Sequence, residues 1–316
     1  MGKIKIICVV GATASGKTDL AVKLAKAVNG EIISADSMQV YKHMDIGTAK
    51  ITSEEMQGVP HYLIDILEPS EDFNVVTFKN LASEKVKEIE SRDKIPIVVG
   101  GTGFYIQALL YDIDFTDNDN DMSYRTELEA IAKEKGNSVL YDMLKSLDGE
   151  AAAEIHPNNV KRVIRALEFY KKSNQKISEH NKTERQKKSP YDAKYFALTD
   201  EREKIYENIE KRIDKMLEMG LVTEVKALIE TGISRTGTAM QGLGYKEIAA
   251  YLNGEMSFEE AIYVLKRDTR HFAKRQLTWL RREKDVIWFD KSEISEDQIL
   301  NDMITEITKE KGDTND

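Results

Sequence analysis

A single cysteine in 316 residues excludes a good deal at once. With only Cys8 the chain can form no internal disulfide and no thiolate metal cluster, which fits a reducing compartment. Cys8 lies inside an apolar run, where it reads as a small buried hydrophobe. The five histidines (His43, His61, His156, His180 and His271) show no ligand spacing, which argues against zinc. No apolar run is long enough to span a bilayer, and no segment resembles a signal peptide. The start Met1-Gly2-Lys3-Ile4-Lys5-Ile6 lacks the Ser or Thr of a myristoylation site. Internal repeats and low-complexity segments are missing as well. These absences predict a cytoplasmic protein with no membrane partner and, by default, a monomer.

Apolar residues make up 41% and charged residues 32% of the chain, enough for a sizeable core inside a soluble globular protein. The length suits one large domain with an insertion, or two domains. A net charge of −9 means that the molecule as a whole does not draw in nucleic acid. The charge is uneven, however. Asp117-Asn118-Asp119-Asn120-Asp121 and the tail after Ser292 are acidic, whereas two helical stretches are strongly basic. The Asp/Asn run resembles the start of an EF-hand loop, yet Met122 stands where the sixth-position glycine belongs. It reads as a solvated linker, and it does not match the paired Asp clusters that hold diphosphate in ordinary prenyl synthases.

The most informative stretch is Gly11-Ala12-Thr13-Ala14-Ser15-Gly16-Lys17-Thr18, a complete G-x-x-x-x-G-K-[ST] phosphate loop. It follows the apolar run Lys3–Val10 and opens a helical pattern with Leu20, Ala21, Leu24, Ala25 and Val28 on one face. Strand, loop and helix in that order let backbone N–H groups and a helix start converge on phosphate oxygens. Lys17 would neutralise the outer phosphates and the Thr18 hydroxyl would sit on Mg²⁺. The chain therefore binds a di- or triphosphate, ATP included, and the chemistry must be read elsewhere.

Apolar, β-rich runs at Ile4–Val10, Glu31–Ala35, His61–Leu67, Ile95–Val99 and Tyr195–Leu198 alternate with helical patterns. Such alternation predicts an α/β fold, a phosphate-loop NTPase-like parallel sheet flanked by helices. From about Phe115 the strand signals vanish and helices are predicted at Arg125–Lys135, Ser138–Ser146 and Asn159–Lys172, the last started by Pro157. The expected organisation is a core of residues 1–114 and 190–304, an all-helical insertion domain at 115–189, and a disordered tail at 305–316. A polar run, 174–189, leads back to the core. A long helix is predicted from Ser257 to about Arg282, with Ser257 and Glu260 forming a capping box and Phe258, Ile262, Leu265, Phe272 and Trp279 its buried stripe.

A kinase or hydrolysing NTPase usually adds an acidic group at the end of a neighbouring strand. Here Ile95–Val99 ends instead in Gly100-Gly101-Thr102-Gly103, where glycines admit a close backbone or substrate and Thr102 offers a hydroxyl. The carboxylate at a strand's carboxyl end is Asp36, on the edge where an open α/β sheet binds ligands. Three roles are open to it: a Mg²⁺-holding acid, a turn residue, or a general base for an attacking nucleophile, the last being the leading one. On the long helix Lys266, Arg270 and Lys274 fall at four-residue spacing, as do Arg267, His271 and Arg275, with Arg281 and Arg282 beyond. Asp268 is the one acid among them, so the helix suits a sugar-phosphate backbone. Lys161, Arg162 and Arg165 would supply a second basic surface, and together the two suggest a folded RNA held as in a clamp.

With those residues in view, the chain resembles the bacterial tRNA dimethylallyltransferases (tRNA isopentenyltransferases, the IPP transferase family) over nearly its whole length. The resemblance rests on Gly11–Thr18, the block Asp36–Lys50 (D-S-M-Q-V-Y-K-H-M-D-I-G-T-A-K), Gly100–Tyr105, Ile155–Asn159, Arg162–Glu168, Gly244–Glu247 and Lys274–Arg281. The D-S-x-Q-x-Y…D-I-G-T-A-K block and K-R-Q-x-T-W are specific, whereas the phosphate loop is shared by many families. The resemblance implies transfer of a dimethylallyl group from its diphosphate to N6 of the adenosine 3′ of a tRNA anticodon. It implies that Gly11 and Thr13, Ala14, Ser15, Gly16, Lys17 and Thr18 hold the diphosphate with Mg²⁺. Asp36 would be the general base, with Lys17, Thr102 and Arg212 completing the catalytic set. Asp36, Ser37, Met38 and Gln39 would touch the adenosine. Thr102, Arg125, Lys161, Arg162, Arg165, Gln241, Gly244, Tyr245, Lys246, Lys274, Arg275 and Arg281 would contact the tRNA. The zinc finger of many eukaryotic relatives is excluded by the single cysteine.

The chemistry is coherent with that assignment. An adenine amine is a poor nucleophile because its lone pair is delocalised into the ring, so removing its proton as the C–N bond forms lowers the barrier. No phosphoryl group moves, and the second acidic strand end of an NTPase is not required. Three other functions fit parts of the sequence: an isopentenyltransferase acting on free adenine nucleotides, a phosphate-loop small-molecule kinase, and an RNA-binding module without catalysis. The helical insertion and the basic helices argue against the first two, and Asp36 argues against the third.

Overall fold

The structure, a computed structural model, describes residues 2–115 and 123–309. The acidic run 117–121 and the end of the chain from 310 lie outside them. The chain divides into two compact units, residues 1–110 with 190–316, and residues 111–189.

The first unit begins with β1 (Lys5–Gly11), α1 (Lys17–Val28), β2 (Gly30–Ser34), α2 (Ser53–Met56), β3 (His61–Tyr62), α3 (Val75–Glu90), β4 (Ile95–Gly100) and α4 (Gly103–Leu110). The second unit holds α5 (Ser123–Lys135), α6 (Asn137–Leu147), α7 (Gly149–Glu154), α8 (Val160–Ser173) and α9 (Ile177–Gln186). The chain then returns to the first unit with β5 (Asp192–Thr199), α10 (Arg202–Glu218), α11 (Leu221–Glu230), a 3-10 turn at Ala239–Gln241, α12 (Tyr245–Leu252), α13 (Phe258–Leu280), β6 (Val286–Asp290) and α14 (Glu296–Thr308). The fold is α/β: six parallel strands in the order β3-β2-β4-β1-β5-β6, flanked by helices. Because every pairing is parallel, the carboxyl ends of β1, β2 and β4 share one edge, and β4 lies between the other two. That edge carries the phosphate loop, Asp36 and the glycine run, the side on which open α/β sheets bind ligands.

β1 is buried along Ile6–Gly11, and its neighbours β4 and β5 flank it in continuous register. Burial on both faces explains why these strands read as unbroken apolar runs. One face is closed by α1, whose Leu20 and Leu24 join Ile7, Val9, Phe196 and Ile299 in the main core.

Several elements differ from the sequence expectation. The strand expected over His61–Leu67 stops at Tyr62, because Leu63 and Asp65 take left-handed backbone (φ 61° and 54°), and Leu67 returns only for an isolated bridge to Tyr41. Two elements lie beyond the sequence expectation: β6, the short apolar run Val286–Asp290 that follows α13, and α14 in the acidic tail. α14 continues to Thr308, past the expected tail boundary at 305, capped by Ser295 and docked through fully buried Ile299 and Met303. Each such side chain is worth roughly 1.5–3 kcal/mol of burial. Pro157 precedes α8 but does not start it; Asn159 caps that helix by accepting from Arg162 N. Of the Ser257–Glu260 box one half forms, Glu260 N donating to Ser257 Oγ at 3.1 Å. The buried stripe of α13 is Ala261, Leu265, Ala273, Gln276 and Leu280, while Phe258 is exposed.

The second unit has its own core, with Leu128, Leu140, Leu144, Val163 and Leu167 at its centre. α9 occupies what the sequence presents as a polar run. Asp148 explains it: the carboxylate accepts from Ala151 N at the start of α7 and from Ser178 N and Oγ at the start of α9, so one buried acid caps two helices. Buried Glu168 of α8 is likewise matched by a bidentate fork from Arg125, at 3.0 and 2.6 Å.

Candidate active site

α1 starts at Lys17 with Gly16 in left-handed backbone (φ 81°) and no side-chain cap. Its first N–H groups therefore look to a ligand for partners. Within the loop, Ser15 Oγ is buried and unpartnered, and the Thr18 hydroxyl has no protein partner among the described residues. Lys17 Nζ donates back to Ala12 O at 3.1 Å. Burial, then the Arg212 guanidinium, pushes the Lys17 ammonium down to about 8, with Asp36 opposing the fall. Burial also lowers Arg212, and Asp36 again opposes. Two cations and one carboxylate from α1, α10 and the end of β2 thus act on one another across a single pocket. Behind the loop, Lys291 Nζ donates to Ser15 O at 3.3 Å and faces Glu296 at 3.6 Å, a brace that no motif announced.

Asp36 is half-buried. Its Oδ1 accepts from Met38 N at 2.8 Å and Gln39 N at 3.4 Å, fixing the turn that carries Ser37, Met38 and Gln39. Oδ2 makes no hydrogen bond among the described residues. The turn-residue role expected of Asp36 is real, and it leaves one oxygen uncommitted. Gln39 Nε2 reaches Thr48 O and Ala49 O (3.4 and 3.3 Å), and Arg212 Nη2 reaches Thr48 O at 3.4 Å, so the loop at 45–50 steadies both. That loop is held by Glu224, which accepts from Asp45 N, Ile46 N and Gly47 N and from the Tyr245 hydroxyl, at 2.6–3.0 Å.

At the end of β4, the glycines make room for the protein itself. A Cβ on Gly101 would collide with the Gln276 amide, and one on Gly103 with the Trp279 indole. Gln276 Oε1 accepts from Thr13 N at 2.8 Å while its Nε2 donates to Gly101 O at 3.0 Å. The Thr13 N–H expected to meet the diphosphate is therefore engaged by Gln276. Thr102 lies immediately before α4, its hydroxyl half-buried and with no protein partner among the described residues.

The basic residues separate into groups. Lys266 pairs with Asp214 at 2.6 Å, Arg270 with Glu210 at 2.7 Å and Arg267 with Asp268 at 2.8 Å. The apparent lack of acids on this helix is made good by α10. Lys274, Arg275, Arg281 and Arg282 are exposed with no ion pair among the described residues; Arg275 lies over the Phe272 ring at 5.8 Å. Lys161 and Arg162 are exposed on α8 of the second unit, and Gln241 is exposed beside the 3-10 turn. Tyr245, expected to contact tRNA, is 1% exposed and its hydroxyl donates to Glu224. Gly244 is buried too, Lys246 is half-buried between Glu247 and Asp268 (3.3 and 3.7 Å), and Arg125 commits its fork to Glu168.

Among known families, the IPP transferase model matches residues 39–283. The chain belongs to the IPP transferase family. A tRNA dimethylallyltransferase of Lachnoclostridium phytofermentans is 59% identical, over 97% of this chain and 98% of its own length. One of Carboxydothermus hydrogenoformans is 52% identical, over 96% and 97%. Among solved structures, the tRNA isopentenylpyrophosphate transferase of Bacillus halodurans matches with a TM-score of 0.73 and 46% identity, covering 96% of this chain and 97% of that one. A eukaryotic dimethylallyltransferase acting on tRNA gives a TM-score of 0.79 at 31% identity, covering 96% and 80%. As a member of the IPP transferase family the chain is a prenyl-group transferase, and no described helix is long and apolar enough to cross a membrane.

Proposed function

We propose that this IPP transferase moves a dimethylallyl group from dimethylallyl diphosphate to N6 of the adenosine 3′-adjacent to a tRNA anticodon. The observation that carries the reading is the uncommitted oxygen of Asp36, in electrostatic contact with Lys17 and Arg212 beside a strand end without an acid. The C–N6 bond forms as the allylic C–O bond breaks, the N6 proton passes to Asp36, and diphosphate leaves. A placed base is worth about 10²–10⁴-fold. Lys17, Arg212 and the first N–H groups of α1 take up the charge that develops on the diphosphate. The adenosine reaches Asp36 by leaving a loop, at a cost of only a few kcal/mol.

The Thr18 hydroxyl, with no protein partner among the described residues, is the group of this chain that would hold a Mg²⁺ accompanying the diphosphate. When bound, Mg²⁺ would offset the charge of the leaving group. On the RNA side Lys274, Arg275 and Arg281 of the first unit, and Lys161, Arg162 and Arg165 of the second, are the proposed backbone contacts, with Asp36–Gln39 and Thr102 near the base. The test is to incubate the protein with Mg²⁺ and labelled dimethylallyl diphosphate, offering bulk tRNA, AMP and ATP separately. Label on an anticodon-loop adenosine of tRNA alone is expected. Label on AMP or ATP, or brisk ATP cleavage with tRNA left unlabelled, would overturn the reading.

A further inference from the structure

We propose that Gln276 is a positioning residue of the diphosphate site, its amide fixing the phosphate loop to the end of β4. The proposal rests on the reading of Gly11–Thr18 as that site. Gln276 is 8% exposed and sits on the buried stripe of α13, whose other members (Ala261, Leu265, Ala273 and Leu280) are all apolar. Packing helix against sheet needs only another apolar side chain there, and burying an amide is costly unless both of its ends are satisfied. Both ends are. Oε1 takes the Thr13 N–H and Nε2 donates to Gly101 O, at 2.8 and 3.0 Å. The absence of a Cβ at Gly101 leaves room for the amide.

These two bonds join the sides of the pocket. Thr13 lies on the loop after β1, and Gly101 on the turn after β4, the strand that separates β1 from β2 and Asp36. Removing the amide strands the part-buried Thr13 N–H and leaves Gly101 O with the Gly103 N–H alone, at 3.1 Å, so the loop must move to find a new partner for Thr13. Displaced loop donors then meet the diphosphate at worse distances. Gln276 acts through Thr13 and Gly101, not through the reacting atoms.

The test measures the dissociation constant of inorganic pyrophosphate by calorimetry on the full chain, with thermal unfolding and tRNA affinity followed in parallel. Gln276→Met keeps the volume and loses both bonds. It is expected to weaken pyrophosphate about tenfold, the scale of one stranded buried group, with tRNA affinity within about twofold. Gln276→Glu at pH 8 cannot donate to Gly101 O and should weaken pyrophosphate at least as much. Its protonated form offers one O–H donor and one carbonyl acceptor, enough for the two bonds the amide makes here. The ratio of its affinity to that of the wild type should therefore recover as the pH is lowered toward 5. A merely structural role would leave that ratio flat, and a flat ratio overturns the proposal even where Gln276→Met does not fold. Pyrophosphate binding by Gln276→Met within about twofold of wild type also overturns it. Lys17→Met separates the two levels. Loss of pyrophosphate binding there, with both Gln276 variants like wild type, would defeat the inference and spare the site; retained binding would defeat both.

Discussion

Lys17 and Arg212 in the phosphate pocket, and the cations of α13, show two ways of arranging positive charge in one unit of the molecule. In the pocket, both cations are half-buried beside Asp36, and no ion pair closes on either among the described residues. On α13 the cations lie at the surface, and acids from α10 or from α13 itself answer those of the first half, Lys266, Arg267 and Arg270. The pocket stores unfulfilled charge that an anionic ligand would complete. The surface spends part of its charge on internal pairing before any partner arrives. Counting basic residues along a helix therefore overstates what it offers to a phosphate backbone.

The largest test of this contrast is Asp36→Ala. The product transferred per enzyme should fall by about 10²–10⁴-fold while tRNA affinity, measured by filter binding, stays within about twofold. Transfer within about tenfold of wild type would place the proton acceptor elsewhere and remove the reason for setting the pocket apart. Next comes pH. With Lys17 held down to about 8, the free protein loses that charge as the pH rises past 8, so pyrophosphate affinity should drop by up to about tenfold per pH unit above it. The sign for folding is opposite: the unfolded chain binds more protons at this lysine between about 8 and its ordinary value, so this group's contribution to stability rises with pH there. Calorimetry in the presence and absence of pyrophosphate from pH 7 to 10 checks both directions. A flat affinity would mean that Lys17 is not the charge the ligand meets.

How much of this was legible in the sequence depends on how local the signal is. The phosphate loop, its strand and its helix are contiguous, so the motif specified them together, and alternating runs were enough for the parallel sheet. Asp36 was found because it ends a strand. Gln276 stands in the K-R-Q-x-T-W motif, yet nothing local tells that its amide bridges Thr13 and Gly101; Glu224 and Lys291 carry no motif, and all three act on segments more than 170 residues away. α14 is hidden by an acidic composition in which the fully buried residues are few, Ile299 and Met303, whereas β6 is too short an apolar run to stand out. The pairing on α13 did leave a trace. Glu210 and Asp214 stand four apart on α10, as Arg270 and Lys266 do on α13, and antiparallel packing brings the two pairs together. The trace becomes readable only once the two helices are known to touch. Tyr245 illustrates the converse: its motif was recognised, but burial gives its hydroxyl to Glu224.

The second half of α13 should show the intermediate effect. Replacing Lys274 and Arg275 together by alanine is expected to weaken tRNA binding about tenfold at moderate salt. The plot of log affinity against log salt should become shallower by roughly 1.4–1.8, the loss of two phosphate contacts. An unchanged slope would make these two lysine and arginine side chains ordinary surface, and the comparison would then hold for the pocket alone.

The smallest expected effect is the most specific to the comparison. Lys266→Ala with Arg270→Ala removes as much formal charge from the same helix as the previous pair does. If charge count governs, tRNA affinity and salt slope should change alike in the two double variants. If pairing governs, Asp214 and Glu210 have already neutralised these cations, so affinity should stay within about twofold and the slope within about 0.3. The loss should appear in folding instead, at no more than about 1 kcal/mol per pair, because each ion pair is partly open to solvent. The reciprocal change sharpens the point. Glu210→Gln with Asp214→Asn frees both cations without removing them, and tRNA binding should then strengthen and its salt slope steepen by up to the same 1.4–1.8. Unaltered binding would mean that this half of α13 does not face the RNA at all, so that position along the helix, rather than pairing, separates its two halves.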